Sequence, residues 1–166
     1  MKSTGNKQLI DGLSHLLADT YILYVNTQNC HWNVVGPQFF SFHKMFEEQY
    51  QALANATDDI AERLRALKVF APASLHAFLK LASIKGIEDH LNAEKMLRKL
   101  FADHTSLAES IFKLFGIAEQ CGDEVTLDLL IQRKTAHDKT AWMLRSSLES
   151  ELSQTKKQVH DDSFAN

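Results

Sequence analysis

The chain has 166 residues, a formal net charge of −3 and 45% hydrophobic residues, which suits one globular domain over residues 1–166. Only six glycines and two prolines are available for turns, so long helices are expected rather than many short strands. No apolar run approaches the roughly 18 residues of a membrane span, and no leader-like segment is evident. We therefore expect a cytoplasmic protein without membrane contact. The two cysteines do not make a disulfide framework.

The first predicted helix follows an irregular start. Residues 1–8 are expected to form a flexible tail, and a helical stripe then runs to about Val34. Its members recur at three- and four-residue steps: Leu9, Leu13, Leu16, Thr20, Leu23 and Thr27.

The second predicted helix begins at the turn Gly36-Pro37, because proline is favoured in the first helical turn, and it runs to about Lys68. Its apolar stripe consists of Phe42, Phe46, Leu53, Ile60, Leu64 and Leu67. His31 lies six residues before Pro37, and His43 lies six residues after it. An antiparallel hairpin at this turn would therefore bring both imidazoles to the same height.

Four potential ligands on the second helix lie away from its apolar stripe. At about 100° per residue, His43, Glu47, Asp58 and Glu62 fall on the far side. Small or apolar residues share that side: Phe40, Tyr50, Ala54 and Ala61. We therefore expect a partner surface to cover this face.

The spacing of these ligands adds a constraint. The centre of the His43/Glu47 pair lies about 15 residues from the centre of Asp58/Glu62, roughly 22 Å along a helix, so one metal ion cannot bridge the two pairs. Two antiparallel copies of the helix could join them, giving two equivalent sites per two-fold dimer. With His31, the set suits Fe(II), Mn(II) or Zn(II). The pattern alone leaves open a plainer reading, in which the acids are merely solvated.

The same residues carry a family resemblance. The motif His31-Trp32-x-x-x-Gly36-x-x-Phe39-x-x-x-His43-x-x-x-Glu47, followed by Asp58-x-x-Ala61-Glu62-Arg63, closely resembles the signature of the Dps family of miniferritins. The resemblance extends along nearly the whole chain, to a stretch near 128–145. It implies a ferroxidase centre between two subunits, with His31, His43, Glu47, Asp58 and Glu62 as iron ligands. Trp32 is a candidate electron donor to radical oxidants, or alternatively an aromatic packed at the dimer interface.

Two positions depart from the family pattern. The carboxylate at position 47 is commonly Asp, and here it is the longer Glu47. The family often has glycines after the Glu-Arg helix, where this chain has the segment 67–72, which holds none. The loop geometry there is therefore open.

The remaining elements complete the predicted fold. A connection from Ala71 to Leu81 contains a short helix capped by Ser74. A third long helix is expected from near Ile87 or Glu88 to Gly116 or slightly later, and a fourth from about Asp123 to Leu152. Residues 153–166 are expected to form a second flexible tail. The fold class is thus all-α, a ferritin-like four-helix bundle with a short helix in the long crossover between helices 2 and 3.

The histidines help to choose among bundles of this kind. None of the eight histidines has a Glu three residues before it. The sequence therefore does not favour a di-iron site built from Glu-x-x-His motifs inside one subunit. His104 occupies a core position of the third helix and is expected to be buried and hydrogen-bonded.

Acidic residues open the last helix. Acidic side chains near a helix N-terminus interact favourably with the helix dipole, which is enough to explain the presence of Asp123 and Glu124. The resemblance implies more: members assemble as hollow dodecamers whose three-fold pores are lined by acids that admit Fe(II). Asp123 and Asp128 are the matching positions here.

The expected function is that of an iron-sequestering miniferritin. The resemblance implies that it oxidises Fe(II), preferably with hydrogen peroxide, and stores Fe(III) mineral in the cage, with Zn2+ or Mn2+ able to substitute. One alternative is a nucleoid-associated DNA-compacting protein. DNA binding is expected to be weak, because Lys2, Lys7 and Lys156-Lys157 form no strong basic cluster. Another alternative is a zinc-stapled dimer without redox chemistry.

Overall fold

The computed structural model describes residues 2–162, with side chains described for residues 5–148. It contains five helices: α1 Lys2–Asn33, α2 Phe39–Ala66, α3 Leu75–Leu81, α4 Ala93–Cys121 and α5 Glu124–Asp162. No strand occurs in this described part of the chain. The predicted all-α architecture is confirmed, with four long helices and a short one in the crossover between the second and third.

The four long helices pack around one core. Helix α1 packs against α2 and α4, and α4 packs against α5. The stripe predicted for α1 is buried throughout, as are all members of the α2 stripe except the half-buried Leu67. The periodicity of the sequence therefore identified the inward face of both helices.

Helix α4 begins five or six residues later than predicted. The sequence indicated a start near Ile87 or Glu88, but the helix starts at Ala93. Asn92 is the N-cap, and its side chain accepts a hydrogen bond from the backbone N–H of Lys95 at 2.9 Å. That cap satisfies one of the N–H groups that a helix start leaves unpaired.

The segment before α4 is held by polar side chains of α1 instead of forming helix. One carboxylate oxygen of Asp19 accepts from the backbone N–H groups of Ser83 at 2.6 Å and Ile84 at 2.9 Å. Asn26 donates to the carbonyl of Lys85 at 2.9 Å, and its side-chain oxygen accepts from the backbone N–H of residue 87 at 2.9 Å. These bonds satisfy backbone groups that a helix would otherwise pair.

Other helix bounds also differ from the prediction. Helix α1 begins at Lys2 rather than near residue 9, and α5 continues to Asp162 rather than ending at Leu152. Residues 153–162 contain neither glycine nor proline to end the helix. Met1 and residues 163–166 lie outside the described residues, and flexibility of the 1–8 and 153–166 segments stays a prediction.

The short helix and the loop before it follow the expected chemistry. Ser74 caps α3 by accepting from the backbone N–H of Ala77 at 3.1 Å. Lys68, two residues after the last residue of α2, lies in the left-handed region at φ 64°, and the backbone N–H of Val69 donates to the carbonyl of Leu64 at 3.1 Å. A lysine thus adopts the left-handed conformation that glycine usually takes at this position.

Among the described helices, none has both the length and the apolar character of a membrane-spanning segment.

Candidate metal centre

His31 and His43 lie face to face where α1 turns into α2. Their ring centroids are 3.8 Å apart and their planes differ by 19°. Nδ1 of His31 lies 2.8 Å from the carbonyl oxygen of His43, and Nδ1 of His43 lies 2.8 Å from the carbonyl oxygen of His31. The equal heights predicted from the Gly36-Pro37 turn are therefore present.

This reciprocal bonding fixes the proton of each ring. A carbonyl oxygen can only accept a hydrogen bond, so each Nδ1 must be the donor. In a neutral imidazole with a protonated Nδ1, Nε2 carries the free lone pair. Both rings therefore offer Nε2 as a ligand, with the second nitrogen oriented by the backbone, as is usual for metal-binding histidines.

Aromatic residues enclose the histidine pair. Tyr50 meets His31 edge-on at 5.2 Å between ring centroids, and Phe39 stacks on His43 at 5.0 Å. His31 is only 8% exposed. His31 is therefore largely out of solvent, whereas His43 is partly buried.

Glu47 forms an ion pair with Lys44. Nζ of Lys44 donates to the carboxylate of Glu47 at 2.7 Å, and this contact lowers the pKa of Glu47 below its usual value. The carboxylate is therefore ionised at neutral pH, as a metal ligand must be. Binding a cation would require it to release Lys44.

Asp58 and Glu62 lie far along the same helix and are exposed. Glu62 lines an open cleft between α2 and α5, together with Asp59, Arg63 and Asp128. Among the residues that the structure describes, no group of three His, Cys, Asp or Glu side chains is placed to hold one metal ion. One chain therefore presents the predicted ligands as two separate groups.

The two predicted pore acids have different surroundings. Asp123 is half-buried and accepts from Arg63 Nη2 at 2.7 Å, from the backbone N–H of Thr126 at 3.0 Å and from its hydroxyl at 2.6 Å. Burial alone would raise the pKa of Asp123, but these hydrogen bonds outweigh it and hold the pKa below its usual value. Asp128 is exposed and accepts from Gln132 at 2.6 Å.

Sequence reasoning gave no role to Arg63, although it directly follows Glu62. Besides its bond to Asp123, its Nε donates to the hydroxyl of Thr126 at 2.8 Å. Arg63 therefore ties the Glu62 end of α2 to the start of α5. The N-cap position of Asp123 was a signal that its carboxylate would be engaged.

Comparisons with known proteins agree on one family. A ferritin-like domain matches residues 10–152. The "DNA protection during starvation protein 2" of Bacillus anthracis is 38% identical over 143 residues, which cover 86% of this chain and 98% of that protein.

Solved structures give the same result. Dps from Thermosynechococcus elongatus matches with a TM-score of 0.87 and 28% identity, covering 89% of this chain and 94% of that one. The Dps protein from Vibrio cholerae, described as a member of a broad superfamily of ferritin-like diiron-carboxylate proteins, matches with a TM-score of 0.84 and 32% identity, covering 87% and 91%.

The fold and these matches define the class of protein. Four long helices with a short helix in the crossover make up a ferritin-like bundle, and the ferritin-like domain matches most of the chain. The chain belongs to the ferritin-like proteins and, within them, to the Dps family. The resemblance identified from the sequence is thereby confirmed.

Proposed function

We propose that this protein is a ferroxidase that captures Fe(II), oxidises it and stores the Fe(III) product in a hollow cage, so that the cell is protected from oxidative damage. Family membership supports iron sequestration in general terms. The observation that carries the finer proposal is the reciprocal His31/His43 pair, which leaves two Nε2 lone pairs available beside the ionised Glu47.

The proposed site is completed by a second subunit. Asp58 and Glu62 of the partner subunit would supply the remaining ligands, because within one chain the centre of the Asp58/Glu62 pair lies roughly 22 Å along α2 from the centre of the His43/Glu47 pair. Large apolar side chains are exposed around the histidines and on α3, as an interface requires. They are Trp32, Val35, Phe39, Phe40, Leu75 and Leu79.

In this proposal Fe(II) is the substrate, and the chain's residues bind and orient it. The imidazole nitrogens hold Fe(II), whereas the carboxylates favour the harder Fe(III) product. Two Fe(II) ions each lose one electron, and both electrons reduce one hydrogen peroxide to the level of water. Paired oxidation therefore releases no hydroxyl radical. Dioxygen would act as a slower oxidant, and Zn2+ or Mn2+ could occupy the same ligands.

The direct test is a peroxide pulse. The purified protein is loaded anaerobically with Fe(II) and given stoichiometric hydrogen peroxide, while ferric absorbance and trapped hydroxyl radical are recorded together. We expect fast oxidation with little radical in the wild type, and loss of the fast phase in Glu62→Ala with assembly intact. Glu48→Ala, which removes another exposed acid of α2, should oxidise iron at the wild-type rate.

A mixing experiment tests whether the site is shared. His43→Ala and Glu62→Ala are each expected to be inactive, but a mixed dimer contains one site with both residues intact. If the two variants mix at random, half of the dimers are mixed, and each mixed dimer has one intact site of its two. About a quarter of the wild-type rate should therefore return. No recovery in verified mixed dimers would exclude a site between subunits. Bound zinc with no iron turnover would favour the purely structural dimer.

The proposed assembly is a dodecamer of two-fold dimers, working in the cytoplasm. Asp128, with or without Asp123, would line the pores through which Fe(II) enters. Trp32 is 67% exposed, so it could either pack at the dimer interface or give an electron to a radical oxidant.

DNA binding is a second candidate function, favoured by the relative named as a DNA protection protein. The net charge of −3 argues for weak binding. The paired lysines 156–157 lie outside the residues with described side chains. We expect a gel shift only at low salt, and its loss after deletion of residues 153–166. A shift that survives deletion, or persists at physiological salt, would contradict this tail-mediated weak binding.

A further inference from the structure

The centre of the bundle contains a buried histidine pair that the proposed iron chemistry does not use. His104 of α4 and His137 of α5 are each 2% exposed. Their Nδ1 atoms are 2.9 Å apart, so one nitrogen donates and the other accepts. Burial, followed by the charge of Arg133, lowers the pKa of His104 to about 3. Both rings are therefore neutral at physiological pH, and Nε2 of His104 has no protein partner.

Gln49 brings a second unpaired polar group into the core. It occupies the inward face of α2 among apolar residues, is only 9% exposed, and neither its amide nitrogen nor its amide oxygen has a hydrogen-bond partner. A buried amide without partners is rare in folded proteins, because it loses its bonds to water and gains none in return.

Contacts along the bundle place Gln49 near the height of the histidine pair. Tyr50, which follows Gln49, packs edge-on against Tyr24 of α1, at 6.1 Å between ring centroids. Two residues further along α1, Asn26 binds Asp103, the neighbour of His104. Gln49 on α2 and His104 on α4 therefore lie at heights along the bundle that differ by no more than about one helical turn, and both helices pack against α1.

The charge at this place selects the kind of molecule that could pair these groups. Arg133 of α5 is partly buried, its Nε has no hydrogen-bond partner, and its charge lowers the pKa of both histidines. The same charge would repel a metal cation. Gln49 and the histidines also bring no carboxylate to balance one. A neutral molecule with both donors and acceptors fits the unpaired atoms.

We propose that the bundle core holds an internal water site between Gln49 and His104. Water can accept from the Gln49 amide nitrogen, donate to its oxygen, and pair with His104 Nε2 in either tautomer. Internal waters characteristically bind polar groups that would otherwise stay unpaired. The site is independent of the proposed ferroxidase centre, because His104 and Gln49 face the core rather than the outer surface.

A high-resolution crystal structure of the assembled wild-type protein tests this directly. We expect ordered solvent density within hydrogen-bond distance of the Gln49 amide and of His104 Nε2. A dry cavity, or anomalous scattering from a metal at this place, would overturn the proposal.

A stability measurement gives an independent answer by its sign. Gln49→Met keeps the side-chain volume but removes both amide groups. If water pairs the amide, the substitution removes its bonds and leaves His104 Nε2 unpaired, so the Tm should fall by about 2–4 °C. If the site is dry, removing an unpaired amide should raise the Tm. Gln51→Met, an exposed position two residues away, is the matched control and should leave the Tm unchanged.

Discussion

At the residue scale, hydrogen bonding separates the two acids that the family resemblance assigns to a pore. The Asp123 carboxylate caps α5 and is paired with Arg63. Asp128 is exposed and bonds only to a neutral amide among the described side chains. A carboxylate already neutralised by arginine attracts cations weakly, so Asp128 is the better candidate for drawing Fe(II) inward.

This difference predicts that substitutions at the two positions affect different properties, the rate of Fe(II) entry at Asp128 and stability at Asp123. Asp128→Asn should slow Fe(II) entry several-fold with little change in stability, because it removes an exposed charge. Asp123→Asn keeps a good N-cap residue but loses the ion pair with Arg63, and should lower the free energy of unfolding by about 1–2 kcal/mol. Stopped-flow oxidation and denaturant unfolding measure the two effects, with Asp138→Asn as the exposed control. Equal slowing by both variants would contradict the distinction.

At the scale of elements, the end of α2 matters because this helix carries four of the five proposed ligands. Its final turn closes with Lys68 at φ 64°, where the sequence left the loop geometry open. The backbone bonds from Lys68 to Arg65 at 2.9 Å and from Val69 to Leu64 at 3.1 Å are formed nonetheless. The glycine-free loop thus keeps the left-handed closure at the expense of backbone strain.

Replacing this lysine should release that strain. Lys68→Gly is expected to raise the free energy of unfolding by about 1 kcal/mol, because glycine adopts positive φ without a Cβ clash. Lys68→Ala retains the Cβ and should give little or no gain. Chemical denaturation at neutral pH compares the three proteins. A gain in the alanine variant equal to that of glycine would show that the side chain, not φ, is responsible.

At the scale of the whole molecule, the proposed activity depends on covering one apolar face. Large apolar side chains are exposed at the end of α1, at the start of α2 and on α3, and Phe40 is 78% exposed. Such a patch is unusual on a protein that works as a monomer. The same surface contains the histidine pair, so assembly and catalysis are expected to fail together.

A charge at Phe40 should disrupt assembly and catalysis together. Phe40→Asp is expected to shift the particle to smaller species in light scattering and to abolish fast iron oxidation, although all five proposed ligands remain. Phe40→Leu keeps an apolar contact and should retain both properties. If Phe40→Asp dissociates the protein yet leaves oxidation fast, the site cannot be shared between subunits.

The sequence by itself determined the features that depend on local spacing. Helical periodicity identified the buried faces, and the position of the Gly36-Pro37 turn between His31 and His43 predicted their equal height. Burial and hydrogen bonding of His104 were predicted in the same way. These features repeat over a few residues, where side-chain direction follows from helix geometry alone.

Only the tertiary structure decided the features that join distant residues. The start of α4 was predicted too early because Asp19 and Asn26 bind backbone groups 59 to 65 residues away. His137 as the partner of His104, and Arg63 as the partner of Asp123, likewise required the packed bundle. Such bonds leave no periodic trace in the sequence, because they depend on which helices meet and at what height.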